Sequence, residues 1–185
     1  MGISTLLKRS FLFVSLSVIS IEAFASSQYD FFRTKSSGNW DNVNTWESSL
    51  DGENWEDADL VPDEEASGIE IVSGHKISMT SDVGTNEFYL YELIMNSGSE
   101  LVINPGTIFY LQNANIAGLI EVQGFLFTNG SLNFLSGGHL KVSLSSIQKI
   151  PNSSWAVGST CEIISVSVSE LLFQTESIEL YNLVY

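Results

Sequence analysis

Cysteine occurs once in the 185 residues, at Cys161. No internal disulfide can staple the chain, so its order must come from packed apolar faces or from bound ions. Basic residues are also scarce, 7 against 22 acidic, for a net charge of -15. Such a balance repels phosphates everywhere and excludes a nucleic-acid partner. Charged residues of either sign make up only 16% of the chain. Helix surfaces usually carry Lys and Glu, and no window shows apolar residues at three-to-four spacing between caps, so an α-helical architecture is excluded. What is plentiful is Gly, Ser, Asn and Thr, the residues of polar turns between short strands.

The N-terminus reads as a secretory leader. Lys8 and Arg9 precede an apolar run of 12 residues, Ser10 to Ile21, and Ala23-Phe24-Ala25 supplies small residues before a cleavage point between Ala25 and Ser26. A bilayer needs about 20 apolar residues, so the run is too short for an anchor, and no later stretch is longer. The mature chain is expected to be exported, secreted or held at the outer cell surface, with no transmembrane segment. Cys161, within TCEIISVSV, is expected to be a small buried side chain rather than a nucleophile.

Two textures follow. Residues 26–66 are polar and tryptophan-rich, with an acidic stretch DGENWEDAD; residues 67–185 form a series of short apolar segments. Strands are expected at 69–72, 76–79, 88–95, 100–103, 107–111, 119–122, 125–128, 131–135, 139–144, 161–168 and 178–184, most of them bounded by Gly, Asn or Pro. A weak repeat runs through the centre. Gly118, Gly124, Gly130 and Gly138 stand six, six and eight residues apart, each followed two residues later by Ile120, Leu126, Leu132 or Leu140. A chain that turns at glycine and points alternate side chains inward can stack coil on coil around a continuous core. SGHKISM and SGGHLKV look like one turn-and-strand unit used twice. A sandwich of short hairpins would alternate in the same way.

The elements GNW and TW (Gly38, Asn39, Trp40, Thr45, Trp46), a second tryptophan motif at Asp51–Trp55, Pro62, the turn at Gly74 and His75, the LVINPGT segment from Leu101 to Thr107, and WAVGSTCEI resemble the N-terminal module of secreted β-helical surface proteins of Bacteroidetes type, with a G8-like character. The resemblance covers nearly all of residues 33–185. It implies an all-β fold, a short parallel right-handed β-helix or solenoid of about 80–110 residues behind a Trp-rich N-terminal cap. It also implies a scaffold role. Relatives of this kind run on for further coils, so the ELYNLVY end is expected to be open, covered by another segment or a partner.

Three sets of side chains could carry function. Trp40, Trp46 and Trp55 lie among Asn, Asp and Ser, as a carbohydrate-binding surface requires, since a sugar offers an apolar face and polar edges. The alternative is that they close the end of the first coil. Asp51, Glu53, Asp57 and Asp59 offer hard oxygens to calcium, the one cofactor considered, although their spacing is not that of an EF-hand, and a solvated acidic face is the plainer reading. Glu100 and Glu121 would serve a polysaccharide-degrading β-helix enzyme only if they shared a face. His75 and His139 each follow a turn glycine, which suits a structural role better than a zinc site. No GxSxG, P-loop or dinucleotide fingerprint is present. The expectation is a non-catalytic, adhesin-like scaffold module whose partners would be cell-surface glycans or other surface proteins. The alternatives are a carbohydrate-binding module and a piece of a β-helix enzyme.

Overall fold

Segments of four to seven residues with alternating apolar side chains can each bury only one face, and they gain a core by stacking. In the computed structural model, which describes residues 25–145, 147–167 and 183–184, they stack as a right-handed, mostly parallel β-solenoid. Residues 1–24 of the leader expected at 1–25, and most of the strand expected at 178–184, lie outside the described residues. The elements in chain order are β1 (Phe31–Thr34), β2 (Gly38–Asn39), β3 (Trp46–Ser49), β4 (Glu56–Asp57), β5 (Gly68–Ile71), β6 (Lys76–Met79), β7 (Leu90–Met95) and β8 (Glu100–Ile103). They continue with β9 (Ile108–Ile116), β10 (Leu119–Val122), β11 (Phe125–Thr128), β12 (Leu132–Phe134), β13 (His139–Leu144), β14 (Ser153–Trp155), β15 (Thr160–Val166) and β16 (Leu183–Val184). The one helical turn among the described residues is a 3-10 turn at Val43–Thr45, opened by the Asn42 side chain.

Two sheets run the length of the molecule. One follows the order β14-β12-β9-β7-β5-β1-β3-β4, with β11 also on β9; the other follows β16-β15-β13-β10-β8-β6-β2. Leu119 stands beside Glu100 on one side and His139 on the other, so successive coils advance by 19 and 20 residues. The glycine spacing of six, six and eight is therefore the interior of a single coil, Gly118 to Gly138, which passes through β10, β11 and β12 to β13. Ile120, Leu126, Leu132 and Leu140 all point into the core and are buried.

The interior is a set of ladders. Ile77, Leu101, Ile120, Leu140 and Cys161 align across one sheet; Ile71, Met95, Ile116, Phe134 and Trp155 align across the other. Each fully buried aliphatic side chain contributes about 1.5–3 kcal/mol, and Phe134 and Trp155 stack with ring centroids 4.2 Å apart. Cys161 lies within the first of these ladders, and burial pushes its thiol up to about 11.

One turn recurs at the corners. His75, Ser99, Thr107, Gly138 and Ser159 each donate their backbone N–H to the carbonyl three residues back. The residue before each is Gly74, Gly98, Gly106, Gly137 or Gly158, with φ between 80 and 87 or, at Gly98, 78. That is the type II turn, whose third position needs a positive φ. The unit seen twice in the sequence is thus used five times among the described residues.

The Trp-rich segment joins the same core. β1 pairs in parallel with β5, and β2 with β6, while β3 and β4 add antiparallel at the outer edge of the first sheet. Antiparallel addition ends the parallel stack at that edge.

Candidate functional site

Trp40 and Trp46 meet edge to face, their centroids 5.0 Å apart, and Trp40 also abuts Phe109 at 5.6 Å. Both are buried. The Trp40 indole N–H donates to the Pro62 carbonyl and that of Trp46 to the Trp40 carbonyl, each at 2.8 Å. With their polar edges satisfied inside the protein, neither ring offers a face to a sugar. Trp55 is half-buried and stands apart from them, with the Arg33 guanidinium 4.4 Å above its ring and Arg33 itself paired to Glu47. The three tryptophans form no common platform.

The acidic residues are likewise dispersed. Asp51 caps its own turn: one carboxylate oxygen accepts from the Ser49 hydroxyl and from the backbone N–H groups of Glu53 and Asn54, and the other accepts from the Asn54 side chain. These bonds, the Asn54 backbone first, hold its carboxyl well below the usual carboxylate range. Asp57 pairs with Lys35, and Asp59 is bonded by Ser26. Among the described residues no three His, Cys, Asp or Glu side chains converge on one point.

Glu100 and Glu121 do share a face. Both point outward from the second sheet, on the neighbouring strands β8 and β10, whose backbones lie about 4.8 Å apart. Each is answered by a lysine from an adjacent coil: Lys76 to Glu100 at 2.6 Å, Lys141 to Glu121 at 3.6 Å. The Glu100 bond raises the Lys76 pKa, with a smaller contribution from the Glu121 charge. His139 Nε2 lies 3.2 Å from Glu162 Oε2, off the angle of a hydrogen bond. Two Lys–Glu pairs therefore follow one another along the solenoid axis, with their glutamates on neighbouring strands. Beside these pairs, where the short Ala117–Gly118 corner lies between the Gly98 and Gly137 turns, is a shallow hollow of about 320 Å³ with Glu100 and His139 on its rim and Leu119 between them. His75 hydrogen-bonds through Nδ1 to the Thr34 hydroxyl at 2.8 Å, joining the first coil to the second.

The exposed aromatic surface lies elsewhere, within the strands expected at 88–95, 107–111 and 125–128. Tyr110 of β9 is in register with Phe127 of β11, their rings 5.5 Å apart. Tyr89 packs on the other edge of Tyr110 at 5.3 Å, and Phe125 lies parallel to Phe127 at 6.3 Å. All four rings are half-buried, and Phe88 and Tyr91 beside them in sequence are 62% and 58% exposed. On the neighbouring stretch of the sheet an amide ladder continues, Asn133 donating to Asn115 and accepting from Ser154. Strand alternation marked these rings as outward only once the inward set was known, because Phe and Tyr suit either face.

The part of the family resemblance that the fold carries is the parallel β-solenoid itself. No protein-family model matches the chain, no curated protein is significantly similar to it, and no solved structure matches it.

Proposed function

We propose that this chain is an exported, non-catalytic scaffold module of a cell-surface or adhesin-like assembly. The observation that carries the reading is the continuity of the coil stack. One hydrophobic core extends from Phe32 to Ile163, and the outward Lys and Glu side chains of the second sheet are paired from coil to coil. The burial of Trp40 and Trp46 beside the antiparallel edge supports a role for residues 26–66 as a cap. The GNW and TW motifs, through their likeness to N-terminal modules of Bacteroidetes-type surface proteins, support the same reading.

The row of Tyr89, Tyr110, Phe127 and Phe125 favours a second reading, carbohydrate binding. Half-exposed rings in register, with amides nearby, can stack on the apolar face of a sugar and bond its edges. Titrating the exported protein with a panel of polysaccharides separates the two. The scaffold reading expects no saturable binding that depends on this aromatic row. Saturable binding that Tyr110→Ala abolishes without lowering the unfolding midpoint would replace it with the second.

A further inference from the structure

The sequence places a cleavage point between Ala25 and Ser26, and the structure gives Ser26 a defined seat. Its backbone N donates to Asp59 Oδ1 at 2.8 Å, and its hydroxyl accepts from the Asp59 backbone N–H at 3.0 Å while meeting the Ser48 hydroxyl at 2.8 Å. These bonds tie Ser26 to β3 and to the residues just beyond β4, at the antiparallel edge of the stack, across 33 residues of sequence. The next residue, Ser27, donates to Asp30, which is buried and has one carboxylate oxygen with no hydrogen-bond partner. Ala25 is exposed, beside the hollow of about 280 Å³ that Ser26, Asp30, Ser48, Leu50 and Asp51 also line. Residues 26–66 carry 11 acidic side chains and only Arg33 and Lys35 as basic ones. Those two are already paired, with Glu47 and Asp57.

We propose that cleavage after Ala25 frees the Ser26 α-amino group to form an ion pair with Asp59, so that removal of the leader completes the N-terminal end of the solenoid. In the uncut chain the Ser26 nitrogen is a neutral amide making one hydrogen bond. Hydrolysis of the Ala25–Ser26 peptide bond by water leaves a carboxylate on Ala25 and an ammonium on Ser26. The ammonium keeps the bond to Asp59 and adds a unit charge to it, and charge-assisted bonds are the stronger kind. It also becomes the third cation among the acidic side chains of this segment. Ser26 already holds the Asp59 carboxyl below its ordinary value through hydrogen bonding, side chain first and then backbone.

The inference rests on the export part of the function proposed above, and the test separates the two. The full-length chain is expressed in an export-competent bacterium, and the protein recovered outside the cytoplasm is analysed by N-terminal sequencing and intact mass. Residues 26–185 are expected, with Ser26 first. The midpoint of the α-amine is then read from the pH dependence of its acylation rate, in the wild type and in Asp59→Asn. The wild-type midpoint is expected about 0.5–1 pH unit above the ordinary α-amino range of about 7.7–8.0, with Asp59→Asn returning to that range. Acetylation of the amine and Asp59→Asn should each lower the unfolding midpoint by about 2 °C, and together by no more than either alone. A chain retained uncut in the cytoplasm overturns export and the inference with it. An exported chain with another first residue overturns the cleavage point and the ion pair with it, and leaves export standing. Ser26 at the N-terminus with an amine midpoint that Asp59→Asn does not move overturns the ion pair alone.

Discussion

At the scale of single residues, two kinds of glycine do different work, and substitution separates them. Gly74 needs its positive φ, yet a Cβ there would meet nothing within 4 Å. Gly74→Ala should therefore cost only the left-handed backbone penalty, about 1–2 kcal/mol. Gly138 is at a corner where a Cβ would run into the carbonyl oxygens of Ile116 and Leu135. Backbone cannot swing aside as a side chain can, so Gly138→Ala should cost about 3 kcal/mol, both values being read from urea unfolding. Asp51 gives a pH-dependent counterpart. Its folded-state pKa lies below its ordinary value of 3.8, so on acidification the unfolded chain takes up the proton first. The stability it adds is complete above that ordinary value and is lost as pH falls toward the folded one. Comparing the unfolding midpoints of the wild type and Asp51→Ala from neutral pH to pH 2 should show the gap narrowing below about pH 4. Cys161, buried and with its thiol pushed up, should react with a thiol reagent at neutral pH only as fast as the protein opens.

At the scale of elements, strands with strongly apolar inward sets were legible. The expected bounds at 76–79, 100–103, 119–122, 125–128 and 139–144 coincide with β6, β8, β10, β11 and β13. β9 runs on to Ile116, beyond the expected end at 111, because its second half alternates Asn113 and Asn115 outward with Ala114 and Ile116 inward, and an Asn-rich stretch resembles a turn. β1, β3 and β14 were missed for a related reason. Their inward positions include Thr34, Ser48 and Ser153, which pack beside neighbouring coils without being hydrophobic enough to mark a strand. The ladder of Glu and Lys on the second sheet also belongs to this scale. Its pairs are partly exposed, so Lys141→Ala should cost under about 1 kcal/mol, and the loss should shrink in high salt.

At the scale of the whole molecule, each coil rests on its neighbours, so stability is distributed along one axis. Ile120, in a coil with neighbours on both sides, should cost about 2–5 kcal/mol when replaced by Ala. Hydrogen exchange should find the backbone of β10 among the best-protected amides. The two-residue edge strand β4, whose side chains are exposed, should open first.

The chain's chemistry by itself determined an all-β, disulfide-free protein turning at glycine, because alternation, turn residues and a lone cysteine are local properties. It also exposed the spacing of one coil, since six, six and eight residues between glycines are written in the sequence whatever they pack against. Which side chains meet was decided only by tertiary structure. Trp40 and Trp46 went inside and Tyr110 and Phe127 outside, although all four are aromatics in mixed surroundings, because the coil register chooses the buried face. The register likewise placed Glu100 and Glu121 on one face, each opposite a lysine from a different coil. It also brought Ser26 to Asp59 across 33 residues that no local pattern connects.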